Sequence, residues 1–154
     1  MSFASGPSFL GIKFIDLSTT DTVNSGVTET TAITPPEGQI YSLIGLEVAI
    51  PDPSGSASGD HTFQLVNSSF SNLSEYLLCV RNSGGAINAQ NDAGLVGDTE
   101  MPSGIDEQLF AILGERIWCS NSIPLNVVYE NDTDVNQTGS RTMKFLFKVY
   151  KEVL

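Results

Sequence analysis

Positive charge is scarce in this chain: seven Lys and Arg stand against eighteen Asp and Glu in 154 residues, a formal net charge of −11. An acidic body repels phosphate backbones and anionic headgroups, so neither nucleic acid nor a membrane surface is an expected partner. Histidine is scarcer still, with His61 alone. That excludes a multi-histidine metal centre and leaves one candidate imidazole for proton transfer. The two cysteines, Cys79 and Cys119, each sit inside an apolar run with no CxxC and no neighbouring histidine. Buried free thiols are expected there, in preference to a disulfide or a zinc site. Long hydrophobic runs are missing as well. No stretch approaches 18 uninterrupted apolar residues, and MSFASGPSFLG at the start has neither a basic segment nor an extended apolar core. Neither a membrane-spanning helix nor an export leader is expected.

What fills the chain instead is Ser, Thr, Asn and Gly around short apolar alternations, the composition of strands joined by polar turns. The clearest alternation is GQIYSLIGLEVAIP, residues 38–51. Ile40, Ser42, Ile44, Leu46, Val48 and Ile50 fall on one side of an extended chain and Tyr41, Leu43, Gly45, Glu47 and Ala49 on the other. Pro35-Pro36-Glu37-Gly38 and Pro51-Asp52-Pro53 bound it, since proline cannot donate to a sheet ladder. Other strands are expected at 9–17, 61–66, 74–81, 115–119, 125–130 and 141–153, with a short one at 86–89. A β-branched strand at 27–34 is expected to run beside the residue 38–51 strand. His61, Phe63 and Leu65 share one face. Met143, Phe145, Phe147 and Val149 form the buried face of the last strand, with Thr142, Lys144, Lys148 and Tyr150 outward. One core is expected to unite Ile44, Leu46, Val48, Phe145 and Phe147.

The polar stretches 51–60 and 82–102 read as long loops of the kind that make contacts. Ser103 to Leu113, with acids in its first turn and Ile105, Leu109 and Ile112 on one face, is the single helical candidate. The sum is an all-β, single-domain chain over 1–154. It should be a two-sheet β-sandwich, jelly-roll or immunoglobulin-like, of about eight strands with one short helix.

Candidate chemistry is thin. Asp60-His61 could supply part of a hydrolytic centre, although a lone histidine at a strand start reads as a rim residue, and no G-x-S-x-G motif accompanies it. Asp132, Asp134 and Asn136 have the spacing that opens a calcium loop. Gln137 then replaces the required glycine and Met143 the bidentate Glu, so a turn-forming cluster is expected. Sequons at Asn67, Asn72, Asn131 and Asn136 follow from composition. Tyr41, Trp118 and Tyr129 could form a sugar-stacking platform, against the commoner fate of strand aromatics as core. No catalytic, cofactor-binding or metal-ligating residue is assigned.

Two stretches, TPPEGQIYSLIGLEVAIPDPSGSASGDHTF (34–63) and PLNVVYENDTDVNQTGSRTMKFLFKVYKE (124–152), resemble small β-sandwich proteins of the structural modules of tailed bacteriophages and related prokaryotic viruses. The resemblance implies a non-enzymatic virion protein made in the host cytoplasm: a capsid decoration protein, a small coat protein, or a tail- or fibre-associated module. Its partners would be copies of itself and other virion proteins. The alternative is a carbohydrate-binding module, with a glycan as ligand.

Overall fold

The computed structural model describes residues 8–53, 58–67, 78–90, 98–100 and 117–152. Within them the chain is all-β, with ten strands in two antiparallel sheets. These are β1 (Ser8–Asp16), β2 (Val27–Ile33), β3 (Gln39–Ile50), β4 (Gly59–Asn67), β5 (Leu78–Asn82), β6 (Ile87–Gln90), β7 (Asp98–Glu100), β8 (Trp118–Ser120), β9 (Leu125–Thr133) and β10 (Thr142–Lys151). The first sheet runs β1-β10-β3-β6, with β8 also paired to β3, and the second runs β2-β9-β4-β5-β7. Without β7 and β8, the eight remaining strands pair first with last, second with seventh, third with sixth and fourth with fifth. This is one long hairpin rolled into two sheets, the jelly roll. That topology selects the jelly roll over the immunoglobulin arrangement, and β7 and β8 raise the strand count to ten.

Rolling the hairpin sends consecutive strands to opposite sheets. The expectation that residues 27–34 run beside residues 38–51 is therefore corrected: β2 pairs with β9, from Val27↔Asn131 to Ile33↔Leu125, while β3 lies in the other sheet. Isolated bridges Thr19↔Arg141 and Val23↔Gln137 carry the chain from β1 across to β2. The short strand expected at 86–89 is β6, in the first sheet, and the expected loop 82–102 holds one strand more, β7, in the second. The candidate helix at 103–113 lies outside the described residues.

The core sits between the sheets. Leu43, Leu46, Phe145 and Phe147 from the first meet Phe63, Leu65, Val127 and Tyr129 from the second in one buried cluster. The inward face of β10 is Met143, Phe145, Phe147 and Val149, all buried, as the alternation of that segment predicts. The register of β3 differs from strict alternation. Phe145 pairs with Leu46 and Leu146 with Gly45, but Phe147 pairs with Leu43, so Ile44 is an extra residue, a bulge beside a glycine. Past the bulge the inward phase reverses. Tyr41 and Leu43 are core together with Leu46, Val48 and Ile50, whereas Ile44 is only half-buried. The predicted membership of Ile44 in the core is thereby corrected, and that of Leu46, Val48, Phe145 and Phe147 holds.

Candidate functional site

Two places carry the side chains that composition alone cannot explain: a polar cluster inside the sandwich, and the outer face of the first sheet.

The interior cluster is centred on Tyr129. His61 on β4 points inward with Phe63 and Leu65 and is fully buried, so it is not a rim residue. Its Nε2 lies 2.6 Å from the Gly85 carbonyl oxygen, which can only accept, so Nε2 carries the proton. Nδ1 then accepts from the Tyr129 hydroxyl at 3.0 Å. Gln137 donates through Nε2 to the same hydroxyl oxygen at 3.1 Å and to the Pro51 carbonyl at 2.6 Å. Arg141, 1% exposed, stacks over the Tyr129 ring with its guanidinium carbon 5.1 Å from the ring centre. It also donates to the Asp21 carbonyl and pairs with Glu29 Oε1, both at 3.0 Å. Desolvation lowers the His61 pKa, against smaller opposing effects of the Gly85 bond and nearby carboxylates, and desolvation raises that of Tyr129. Asp60 and His61 are adjacent on a strand and project to opposite sides of it. Asp60 instead stands across from Asp132 on the outer face. The chain thus places its histidine where it ties β4, β9 and the turn at Gly85 together.

The candidate calcium loop is tied down as a turn. Asp134 Oδ1 takes the Ser58 amide at 3.4 Å and Asn136 Oδ1 the Ser25 amide at 3.0 Å. Asn131, fully buried, donates to the Val23 and Val135 carbonyls and accepts from the Thr133 amide and hydroxyl. Its four bonds use the whole side-chain amide, the satisfaction that burial requires. Among the described residues no group of three or more His, Cys, Asp or Glu is placed to hold a metal ion. Of the sequons, Asn67 and Asn131 are buried, Asn136 is exposed, and Asn72 lies outside the described residues. Cys79 and Cys119 are free and buried, and desolvation pushes the Cys119 thiol up to about 12. The sugar platform does not form from its three candidates: Tyr41 and Tyr129 are core, and Trp118 alone is exposed.

The outer face of the first sheet is built from strand register. Residues directly opposite in an antiparallel pair share a face. The pairings therefore lay four rows across β1, β10, β3 and β8. Asp16, Lys144 and Glu47 form one row. Phe14, Leu146 and Gly45 form the next, and Ile12, Lys148, Ser42 and Trp118 the third. Phe9, Tyr150 and Ile40 form the last, Phe9 meeting Tyr150 edge-on with ring centres 5.9 Å apart. Phe14 is 57% exposed, Ile12 54% and Trp118 43%. The sequence alternation of residues 9–17 sets Leu10, Ile12 and Phe14 on one face. Ile12 and Phe14 do share one, but it faces solvent, and exposed Leu10 falls at the irregularity between Phe9 and Gly11. The inward positions of β1 are Gly11, Lys13 and Ile15, of which only Ile15 packs against the core. A shallow depression of about 220 Å³ lies over Phe14, Gly45, Glu47, Lys144 and Leu146. The outer face of the second sheet contrasts with it, bearing Asp60, Thr62, Gln64, Glu130 and Asp132.

Charge on the apolar face is balanced. Lys144 stands between Asp16 and Glu47, and its charge helps the Ser18 hydrogen bonds hold the Asp16 carboxyl below its usual range. With Lys148, the four rows carry two cations and two anions, net zero, in a chain of net −11. All four lysines of the sequence, Lys13, Lys144, Lys148 and Lys151, lie on β1 and β10. Sequence reading found the outward lysines but missed the apolar rows between them. The signal was present in Phe9, Ile12 and Phe14, yet an apolar alternation reads as core until the partner sheet is known to lie on the other side. The chain matches no protein-family model and no curated sequence.

Proposed function

We propose that this protein is a non-enzymatic structural component of a virus particle, a capsid decoration, small coat or tail- or fibre-associated protein, that works by self-association or by docking. The observation that carries the reading is the electrically balanced apolar face on an otherwise acidic jelly roll. Contiguous exposed apolar rows edged by charge are the mark of a protein contact site. Jelly rolls recur among viral capsid domains, a fold-level analogy that agrees with the sequence resemblance. His61, the one residue that could have begun a catalytic argument, has both ring nitrogens engaged inside the sandwich.

Lectin domains share the jelly roll, so the fold does not separate this reading from glycan binding. The placement of the aromatics favours contact, because Phe9 and Tyr150 meet at 65° and offer no common plane to a sugar ring. Light scattering on the purified chain, with a glycan panel run alongside, is the test. Mass above that of the 16.5 kDa monomer and no retained glycan support the proposal. A chain that stays monomeric at high concentration and binds a glycan overturns it.

A further inference from the structure

We infer that the free edge of β2 pairs with the β2 edge of a second copy of this chain. The two strands run antiparallel about a twofold axis normal to the sheet at Thr30, which joins two five-stranded sheets into one. The inference rests on the self-association named above and gives it a surface, a partner and a register.

A strand at the end of a sheet leaves a row of backbone N–H and C=O groups unpaired, and proteins guard such rows with short strands, irregularities or inward charges. Among the described residues, every edge but one is guarded in this way. β6, β7 and β8 have only four, three and three residues. β1 has nine, but its ladder is irregular between Phe9 and Gly11, and an added strand would have to cover the inward Lys13. β2 has none of these devices. It closes the second sheet with seven residues, pairs with β9 without a break from Val27 to Ile33, and contains neither proline nor glycine. Val27, Thr28, Thr30, Thr31 and Ile33 are β-branched, side chains that fit a pleated sheet. Val27 is 44% exposed, and Thr28, Thr30, Thr31 and Ala32 are exposed with it. The one charge on β2, Glu29, points inward and is already held by Arg141 at 3.0 Å, so pairing this edge brings in no uncompensated charge.

The topology also selects the occupant. Of the longer strands only β1 and β2 have a free side, because β3, β4, β5, β9 and β10 each lie between two others. β2 against β1 of another copy would be a head-to-tail contact over Lys13, whereas β2 against β2 closes on itself. Residues opposite one another share a face, so an axis normal to the sheet through a residue keeps both inner faces on the same side. An axis at Glu29 would set that carboxylate against its twin, a destabilising opposition. One at Thr31 would set Glu29 against Ile33. An axis at Thr30 overlaps the whole of Val27 to Ile33. Thr30 then meets its twin, Thr28 meets Ala32, Val27 meets Ile33, and Glu29 meets Thr31, whose hydroxyl can donate to the carboxylate. Alternate pairs exchange both of their bonds, which gives about six to eight backbone hydrogen bonds, against about ten in a typical interface. The contact is narrow and two bodies of net charge −11 oppose it, so a reversible dimer populated at high concentration is the expected species.

Sedimentation of the full chain from about 10 µM to about 1 mM spans the range of weak reversible dimers. The wild type should shift from monomer to dimer, and the backbone amides of residues 27–33 should exchange with deuterium more slowly at the high end. Thr30→Glu and Thr30→Lys each place two like charges at the axis. Either should weaken the dimer by roughly tenfold or more, with an unchanged circular-dichroism spectrum, since Thr30 is exposed. An equimolar mixture of the two variants should dimerise again, because residue 30 of one copy faces residue 30 of the other. Phe14→Glu, on the first sheet, should dimerise as the wild type does. A dimer that survives both Thr30 substitutions, or one that is lost with Phe14→Glu, overturns this edge and leaves self-association standing. Loss at Thr30 without rescue on mixing overturns the register. A wild-type chain that stays monomeric throughout overturns the inference and leaves docking as the proposed role, and one that in addition binds a glycan overturns that role with it.

Discussion

Burial of His61 makes protonation compete with folding. In the folded chain its pKa is depressed below the ordinary 6.5, chiefly by desolvation, so as pH falls below about 6.5 the unfolded chain takes up a proton that the folded one refuses. The unfolded state then binds more protons, and stability falls with pH through that window. Urea midpoints measured between pH 5 and 7.5 should show this slope, and His61→Gln should flatten it. A wild-type midpoint independent of pH there would contradict the placement of His61. Tyr129→Phe removes the hydroxyl that serves both His61 Nδ1 and Gln137 Nε2 and should cost about 1–3 kcal/mol, the penalty of leaving buried polar groups unmatched. Gly59 is constrained from two sides. It adopts φ 93°, and an added Cβ would lie 2.8 Å from Thr133 Cα and closer still to the Asp132 carbonyl oxygen, both of them backbone. Gly59→Ala should therefore lower the melting temperature by several degrees, because each kcal/mol is worth roughly 2–4 °C in a domain of this size. An unchanged melting temperature would refute that conformation.

The bulge at Ile44 decides what β3 contributes. Phe145 and Phe147 are fully buried, and truncating either to Ala should cost about 3–5 kcal/mol, read as a lowered urea midpoint. Ile44→Ala should cost only about 1 kcal/mol, since the side chain is half-buried. Equal losses at all three positions would show that β3 runs without the bulge. Most strands were legible because period-two alternation is a local property: β10 follows its sequence pattern residue for residue on the inward side, and β4 does so at Phe63 and Leu65. The phase of β3 was not, because Gly45 permits a bulge without demanding one, and it is the ladder with β10 that places the extra residue. The partner of β2 was illegible for a similar reason. Val27 to Ile33 carries no record of the strand, almost a hundred residues later, that pairs with it. The buried polar cluster is a third case. Nothing near His61 in sequence announces Tyr129, Gln137 and Arg141, which the roll of the hairpin brings to it.

At the scale of the whole molecule, charge and apolar surface make opposing demands on assembly. Under the proposed contact role the balanced face is where a partner surface meets least repulsion, while the remaining surface, carrying the whole excess of −11, repels any acidic partner. Lys144 is already flanked by Asp16 and Glu47 on its own sheet, so it offers a partner little net charge. Raising salt from low to physiological strength should then strengthen the proposed self-association, because screening relieves the long-range repulsion between acidic surfaces. Self-association that loosens steadily with salt would mean that charge pairs dominate the contact. The first and last strands have a mechanical consequence as well. Ser8 lies opposite Lys151, and the β1–β10 ladder runs from there to Asp16 and Lys144. Tension applied at those two ends pulls across the ladder and loads its hydrogen bonds one after another, as a zipper is opened. In an optical trap, a chain held at residues 8 and 151 should yield at low force, β1 peeling away first. A chain held at residues 16 and 151, at opposite ends of the same ladder, is pulled along the strands, loads the bonds together and should resist.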